Sequence, residues 1–168
     1  MSTAPPAAPG RLSPATRFTL RFLGFLLLAS VAFWALSLHT RLSPVQRAIA
    51  ASSATLARWS GGTSVAHGDD IMVRDLVMNV NHECTGIFVI MLFSSFVLAY
   101  PASWRAKVTG LAVGIPLFMA INILRLATLA RIVEFYPNLF FYLHEYVWQG
   151  ILTVLVLLGT LAWAERLR

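Results

Sequence analysis

The sequence predicts an all-α integral membrane protein with about four transmembrane helices. An extracytoplasmic amphipathic helix and a small β-hairpin are expected before the second span. Three observations lead there. Of 168 residues, 58% are hydrophobic and only 12% are charged, against about 25% charged in soluble domains. Four stretches free of charge follow one another: Phe22–Leu38, Cys84–Trp104, Val108–Leu124 and Tyr146–Ala164. The basic residues stand at the ends of these stretches, where membrane proteins carry them. This excludes a water-soluble enzyme and a disordered chain. The single cysteine excludes an intrachain disulfide scaffold. The net charge of +6, placed at span ends, does not point to nucleic acid.

Residues 1–16 are rich in Pro, Ala and Ser without helical or strand period, which predicts a disordered cytoplasmic tail. The rest, 17–168, reads as one membrane domain with spans at about 18–38, 85–104, 108–131 and 146–164. Two of the charge-free runs hold 17 residues, short of the roughly 20 that cross a bilayer. They extend past Arg21 and Arg125, which must snorkel or find partners. The first run is read as a retained helix and not a signal peptide, because no small-x-small cleavage site follows Leu38.

The segment 39–83 is too long for a connector. Ser43-Pro44-Val45-Gln46 reads as an N-cap, a first-turn proline and a capping-box glutamine. Val45, Ile49, Ser52 and Leu56 share a helical face, which predicts an amphipathic helix on the membrane, ended by Trp59 and Gly61-Gly62. Ser64–Ala66 and Ile71–Val80 flank His67–Asp70 and predict the hairpin. Basic residues around the first span, after the second (Arg105, Lys107) and after the fourth (Arg166, Arg168) fall on one side, expected to be cytoplasmic. The segments 39–83 and 132–145 then lie outside. Arg41, Arg47, Arg58 and Arg74 in the outer segment run against that rule.

Chemistry concentrates at the outer level. Cys84 stands where the polar segment Asn81-His82-Glu83 gives way to an apolar span. Helix N-termini carry partial positive charge and free N–H groups, which favour thiolate over thiol. Most lone cysteines are nevertheless small buried hydrophobes, and position alone leaves both readings open. Arg125 lies deep in an apolar run, about 26 Å along the helix from Val108. Such a charge must face protein, water or substrate. Asn122 and Thr128 share its face and suggest a polar patch. Arg131 is either a second site residue or an interface anchor. His144 precedes the last span at the same level. A thiol with a histidine is a nucleophile–base pair, and a guanidinium binds an oxyanion. His82 competes with His144 for the role of base. His39 and His67 read as interface or loop residues. No zinc-binding His-Glu-x-x-His motif or Gly-rich phosphate loop occurs, so no metal or cofactor is expected.

Glu83-Cys84-Thr85-Gly86 heading one span, Asn122-x-x-Arg125 late in the next, and His144 before the last resemble the exosortase/archaeosortase family. The short chain looks most like the compact exosortase H branch. The resemblance implies a cysteine transpeptidase in the inner membrane of bacteria, multi-pass, with its active site on the periplasmic side. Its partners would be secreted proteins bearing a C-terminal signal of the PEP-CTERM kind: a short motif (Ile-Pro-Thr-Leu type in the H branch), a transmembrane helix and a basic tail. By carry-over, Cys84 is the nucleophile, Arg125 the arginine and His144 the histidine. Asn122 and Arg131 are then candidate substrate-binding residues. Thr85 stands where many members have serine. The alternative class is a non-enzymatic subunit of a membrane assembly or transport complex, in which Cys84 packs and Arg125 pairs with a partner's acid.

Overall fold

The computed structural model describes residues 12–38 and 43–167. The expected tail up to Arg11, together with His39, Arg41 and Arg168, lies outside the described residues. Among the described residues, six α-helices and three strands follow in order. They are α1 (Pro14–Leu38), α2 (Ser43–Trp59), β1 (Val65–His67), β2 (Asp70–Val73), β3 (Leu76–Asn79), α3 (Ile87–Ala99), α4 (Trp104–Val133), α5 (Phe140–Tyr142) and α6 (Trp148–Glu165). A 3₁₀ turn, His82–Thr85, precedes α3, and a π-helical turn, Leu143–Val147, joins α5 to α6.

Among the described residues, three helical stretches are long and apolar enough to cross a membrane: Pro14–Ser37, Trp104–Val133 and Pro137–Glu165. The first begins inside the expected tail, where the Ser13 hydroxyl accepts from the Thr16 N–H at 3.1 Å. The helix at the second expected span is shorter than 85–104. It has 13 residues, about 20 Å at the rise of an α-helix. Residues 82–85 belong to the 3₁₀ turn, and Tyr100 turns extended (ψ 140°) ahead of Pro101, as a residue preceding proline does. The last helical stretch starts earlier than residue 146, at Pro137.

The spans meet where Phe93 and Val97 of α3, Phe118 of α4 and Val156 of α6 form a buried cluster. Between helices in lipid, close packing supplies the stabilisation that water exclusion gives elsewhere. Gly114 allows that closeness: a Cβ there would lie 2.2 Å from the Phe93 ring. α1 leans on α3 through Phe18 against Phe96 and Phe33 against Phe88.

A second core forms at the other end of α4. The amphipathic helix occurs over the expected residues, but with another face inward. Gln46, Ile49, Ala50, Ser53, Ala54 and Ala57 are buried, and Val45 and Ser52 are exposed. Half of the inward stripe is alanine, so α2 packs closely on Leu126, Leu129, Ala130 and Val133 of α4. Gln46 also reaches beyond its own helix. Its Nε2 donates to the buried Val80 carbonyl at 2.9 Å, 34 residues away, and a buried carbonyl left unpaired would cost more than an exposed cap.

The expected hairpin is a three-stranded antiparallel sheet in the order β1-β2-β3, with Val65 opposite Met72 and Asp70 opposite Asn79. The run 71–80 breaks at Arg74-Asp75, where Arg74 takes a left-handed φ of 52°. Alternation sends Ile71, Val73 and Met78 into the α2–α4 core and leaves Met72 and Val77 outside.

Candidate active site

Cys84 is placed by its own turn. The Asn81 side chain accepts from the N–H groups of Glu83 (3.0 Å) and Cys84 (3.1 Å), an N-cap for the 3₁₀ turn. The Thr85 hydroxyl donates to the His82 carbonyl at 2.6 Å and closes the turn. Gly86 then leaves it with φ +73°, and a Cβ there would lie 2.9 Å from Asn122 Cγ. Glycine is required twice over, by backbone conformation and by the approach of α4.

Asn122 uses that approach. Its Nδ2 donates to the Cys84 carbonyl at 2.8 Å, and the residue is 1% exposed. Sequence reasoning made Asn122 a substrate contact. Here its donor is spent on holding the cysteine turn against α4.

Three residues distant in sequence then converge. Cys84 Sγ lies 3.5 Å from Nε2 of His144. Nδ1 of the same ring lies 3.4 Å from Nη2 of Arg125. The π-helical turn carries His144, a feature frequent at functional sites, and Phe140 stacks on its ring at 5.4 Å between centroids. Arg125 is 3% exposed, with Nε unpartnered. A guanidinium only donates, so Nδ1 must accept from it. The proton of a neutral ring is then on Nε2, facing the sulfur.

The thiol itself departs from the expectation of a favoured thiolate. Burial pushes the Cys84 thiol up from its ordinary value, while the Arg125 charge and a backbone hydrogen bond at Asn81 pull it down. At 4% exposure, lost hydration of the anion outweighs the turn's few N–H groups.

His82, the competing base, lies edge-on to Phe33 of α1 at 6.1 Å. Arg131 makes its contacts outside the Cys84–His144–Arg125 chain. It pairs with Glu134, stands over the Phe135 ring at 5.5 Å and packs on Gly62. Glu134 also accepts from the Thr63 hydroxyl at 2.9 Å and faces Arg74 at 3.7 Å, so this cluster ties the sheet to α4. Thr128, expected in the polar patch, bonds back to the Leu124 carbonyl on its own helix. Sequence reasoning overlooked Asn81, although Asn followed by a short polar turn is an N-cap signature. Phe140 left no such signal.

Beside the pair a cleft of about 340 Å³ opens, lined by Glu83, Phe88, Arg125, Glu145 and Gln149 among others. A larger cavity of about 400 Å³ lies along α4 and α6 by Gly110, Gly114 and Gly159, and Cys84, Arg125 and His144 do not line it. Among the described residues no cluster of three or more His, Cys, Asp or Glu side chains is arranged to hold a metal ion.

The sequence profile of the transmembrane exosortases matches residues 12–164. The chain belongs to the transmembrane exosortase family. This exosortase is a multi-pass membrane protein by its apolar helices. No curated protein and no solved structure matches it at a significant level.

Proposed function

We propose that this exosortase is a cysteine peptidase or transpeptidase that removes a C-terminal sorting signal from secreted proteins through a thioester on Cys84. The observation that carries the reading is the chain of contacts Cys84 Sγ–His144–Arg125 at 3.5 and 3.4 Å. A nucleophile, a base and an oxyanion donor are what acyl transfer requires.

In this account the resting enzyme is held idle. Arg125 occupies Nδ1, which keeps the ring proton on Nε2, so the nitrogen facing the thiol has no lone pair to receive its proton. A substrate carbonyl entering the cleft offers Arg125 a better acceptor. Once Arg125 leaves Nδ1, that nitrogen takes the ring proton and Nε2 becomes the base. Nε2 then takes the thiol proton, sulfur bonds to the carbonyl carbon, and Arg125 stabilises the oxyanion. The C–N bond breaks as His144 protonates the leaving amine, and the thioester remains.

The substrate's own transmembrane helix packs beside the spans and presents the scissile bond at the right depth. The distribution of basic residues favours a site on the side away from the cytoplasm, and the likeness to exosortases makes that the periplasmic face of a bacterial inner membrane. The substrates are proteins ending in a PEP-CTERM-like signal, of Ile-Pro-Thr-Leu type in the H branch. Coexpression with such a tailed protein tests the reading. Cys84→Ala, His144→Ala and Arg125→Lys should each stop processing while the enzyme remains in the membrane. Full processing by Cys84→Ala sinks the proposal.

A further inference from the structure

The cleft beside Cys84 has an unusual charge arrangement. Arg125, nearly fully buried and with its Nε–H unpartnered, forms part of its wall. Glu83, from the cysteine turn, and Glu145, from the π-helical turn, also line it. Both glutamates are exposed, and neither carboxylate forms an ion pair among the described residues. Phe88 and Leu152 complete the apolar part.

Two unpaired carboxylates are a disadvantage to a cysteine nucleophile, because both raise the thiol's pKa. Attack on the first substrate gains nothing from them. They become useful after the thioester has formed. The acyl carbonyl then belongs with Arg125, and an acceptor that uses this cleft meets the glutamates. Water needs no such guard, whereas a primary amine arrives as an ammonium ion that two carboxylates attract.

We propose that this cleft is the acceptor site, and that Glu83 and Glu145 hold the ammonium group of a primary-amine acceptor. The inference rests on the thioester reading of Cys84. One ammonium proton passes by way of a carboxylate to solvent. The free amine nitrogen bonds to the thioester carbonyl carbon, and the C–S bond breaks. The second proton released from nitrogen returns through His144 to the sulfur. The products are an amide and the Cys84 thiol.

The test is the charge preference of Cys84 labelling by two small thiol reagents, on the full chain in phosphatidylcholine nanodiscs. Aminoethyl methanethiosulfonate is a cation, and methyl methanethiosulfonate is neutral. The ratio of their rates cancels the thiolate fraction, which the glutamates also alter. The wild type should prefer the cation. That preference should fall roughly tenfold or more in the Glu83→Gln/Glu145→Gln double variant, the scale of a charge-assisted contact. Asp75→Asn, which removes a carboxylate from the turn between β2 and β3, should leave it intact. Glycinamide should suppress the wild-type preference saturably, whereas neutral acetamide should not.

Nanodiscs containing phosphatidylethanolamine distinguish the source of the amine. Suppression by that lipid alone assigns a lipid headgroup, and suppression only by glycinamide assigns a soluble peptide amine. Equal ratios in the wild type and the double variant overturn the proposal, as does equal competition by glycinamide and acetamide. Labelling needs no turnover. Equal ratios in the wild type and the double variant therefore sink the acceptor site alone, whereas undiminished processing by Cys84→Ala sinks the thioester reading alone.

Discussion

Arg125 Nη2 lies 3.4 Å from Nδ1 of His144, the ring nitrogen that does not face Cys84. In a simple thiolate–imidazolium pair the second ring nitrogen faces an acceptor. Here it faces a cation, so the positive charge beside the sulfur belongs to the arginine.

The first consequence concerns reactivity. Burial dominates and Arg125 opposes it, so the resting thiol should alkylate with a midpoint above that of an ordinary cysteine. Arg125→Gln should raise the midpoint further, since it removes the group that lowers it. Arg125→Lys should keep the midpoint near the wild type yet still lose processing, because lysine lacks the planar fork that grips an oxyanion. His82→Ala should alter neither property, its ring resting on Phe33. Rates of iodoacetamide alkylation against pH decide this, and a wild-type midpoint below the ordinary thiol range contradicts it.

Asn122 should matter for position and not for substrate contact. Asn122→Ala leaves the buried Cys84 carbonyl without its donor, at a cost of about 1–3 kcal/mol. The thermal midpoint and the processing rate should fall together, with substrate affinity little changed. Asn122→Asp should be worse, since a carboxylate cannot donate to that carbonyl. Unfolding scans in nanodiscs beside a titration of the tailed substrate separate the two roles. A pure affinity defect would return Asn122 to the substrate side.

Much of the fold is legible because apolar runs are local properties. Phe22–Leu38 reads as a helix in lipid, whereas the span expected over 85–104 runs through Pro101, which ends α3 at Ala99. The inward face of α2 was not legible. Alanine and serine beat Val45 there, because what decides is how closely α4 approaches and not which residue is most apolar. A buried Arg125 announces the need for partners. That Nδ1 of His144 answers it depends on the π-helical turn, and Leu143–Val147 carries no sequence mark of that geometry. Asn122 shares the arginine's helical face, but its bond to Cys84 crosses between elements.

The Glu134 cluster predicts a pH effect away from the site. The Thr63 hydroxyl, then Arg131, hold its carboxyl below the ordinary value. A depressed folded-state pKa contributes stability above the unfolded-state value, and that stability is lost as pH falls through the folded-state value. Glu134→Gln should therefore lower the thermal midpoint at neutral pH. The difference from wild type should shrink as the medium becomes more acidic than the ordinary carboxylate range. Thermal scans from neutral to acid pH measure it, and a gap that widens on acidification is the opposite outcome.

The thioester is the centre of the account and can be weighed directly. The enzyme, incubated with a protein carrying the tripartite C-terminal signal, is quenched in acid and its intact mass recorded. The account predicts an adduct equal to the substrate cut near its motif. It should map to Cys84, be released by hydroxylamine and be absent from Cys84→Ala. Cleaved substrate with no adduct on Cys84, or cleavage undiminished in Cys84→Ala, would contradict it.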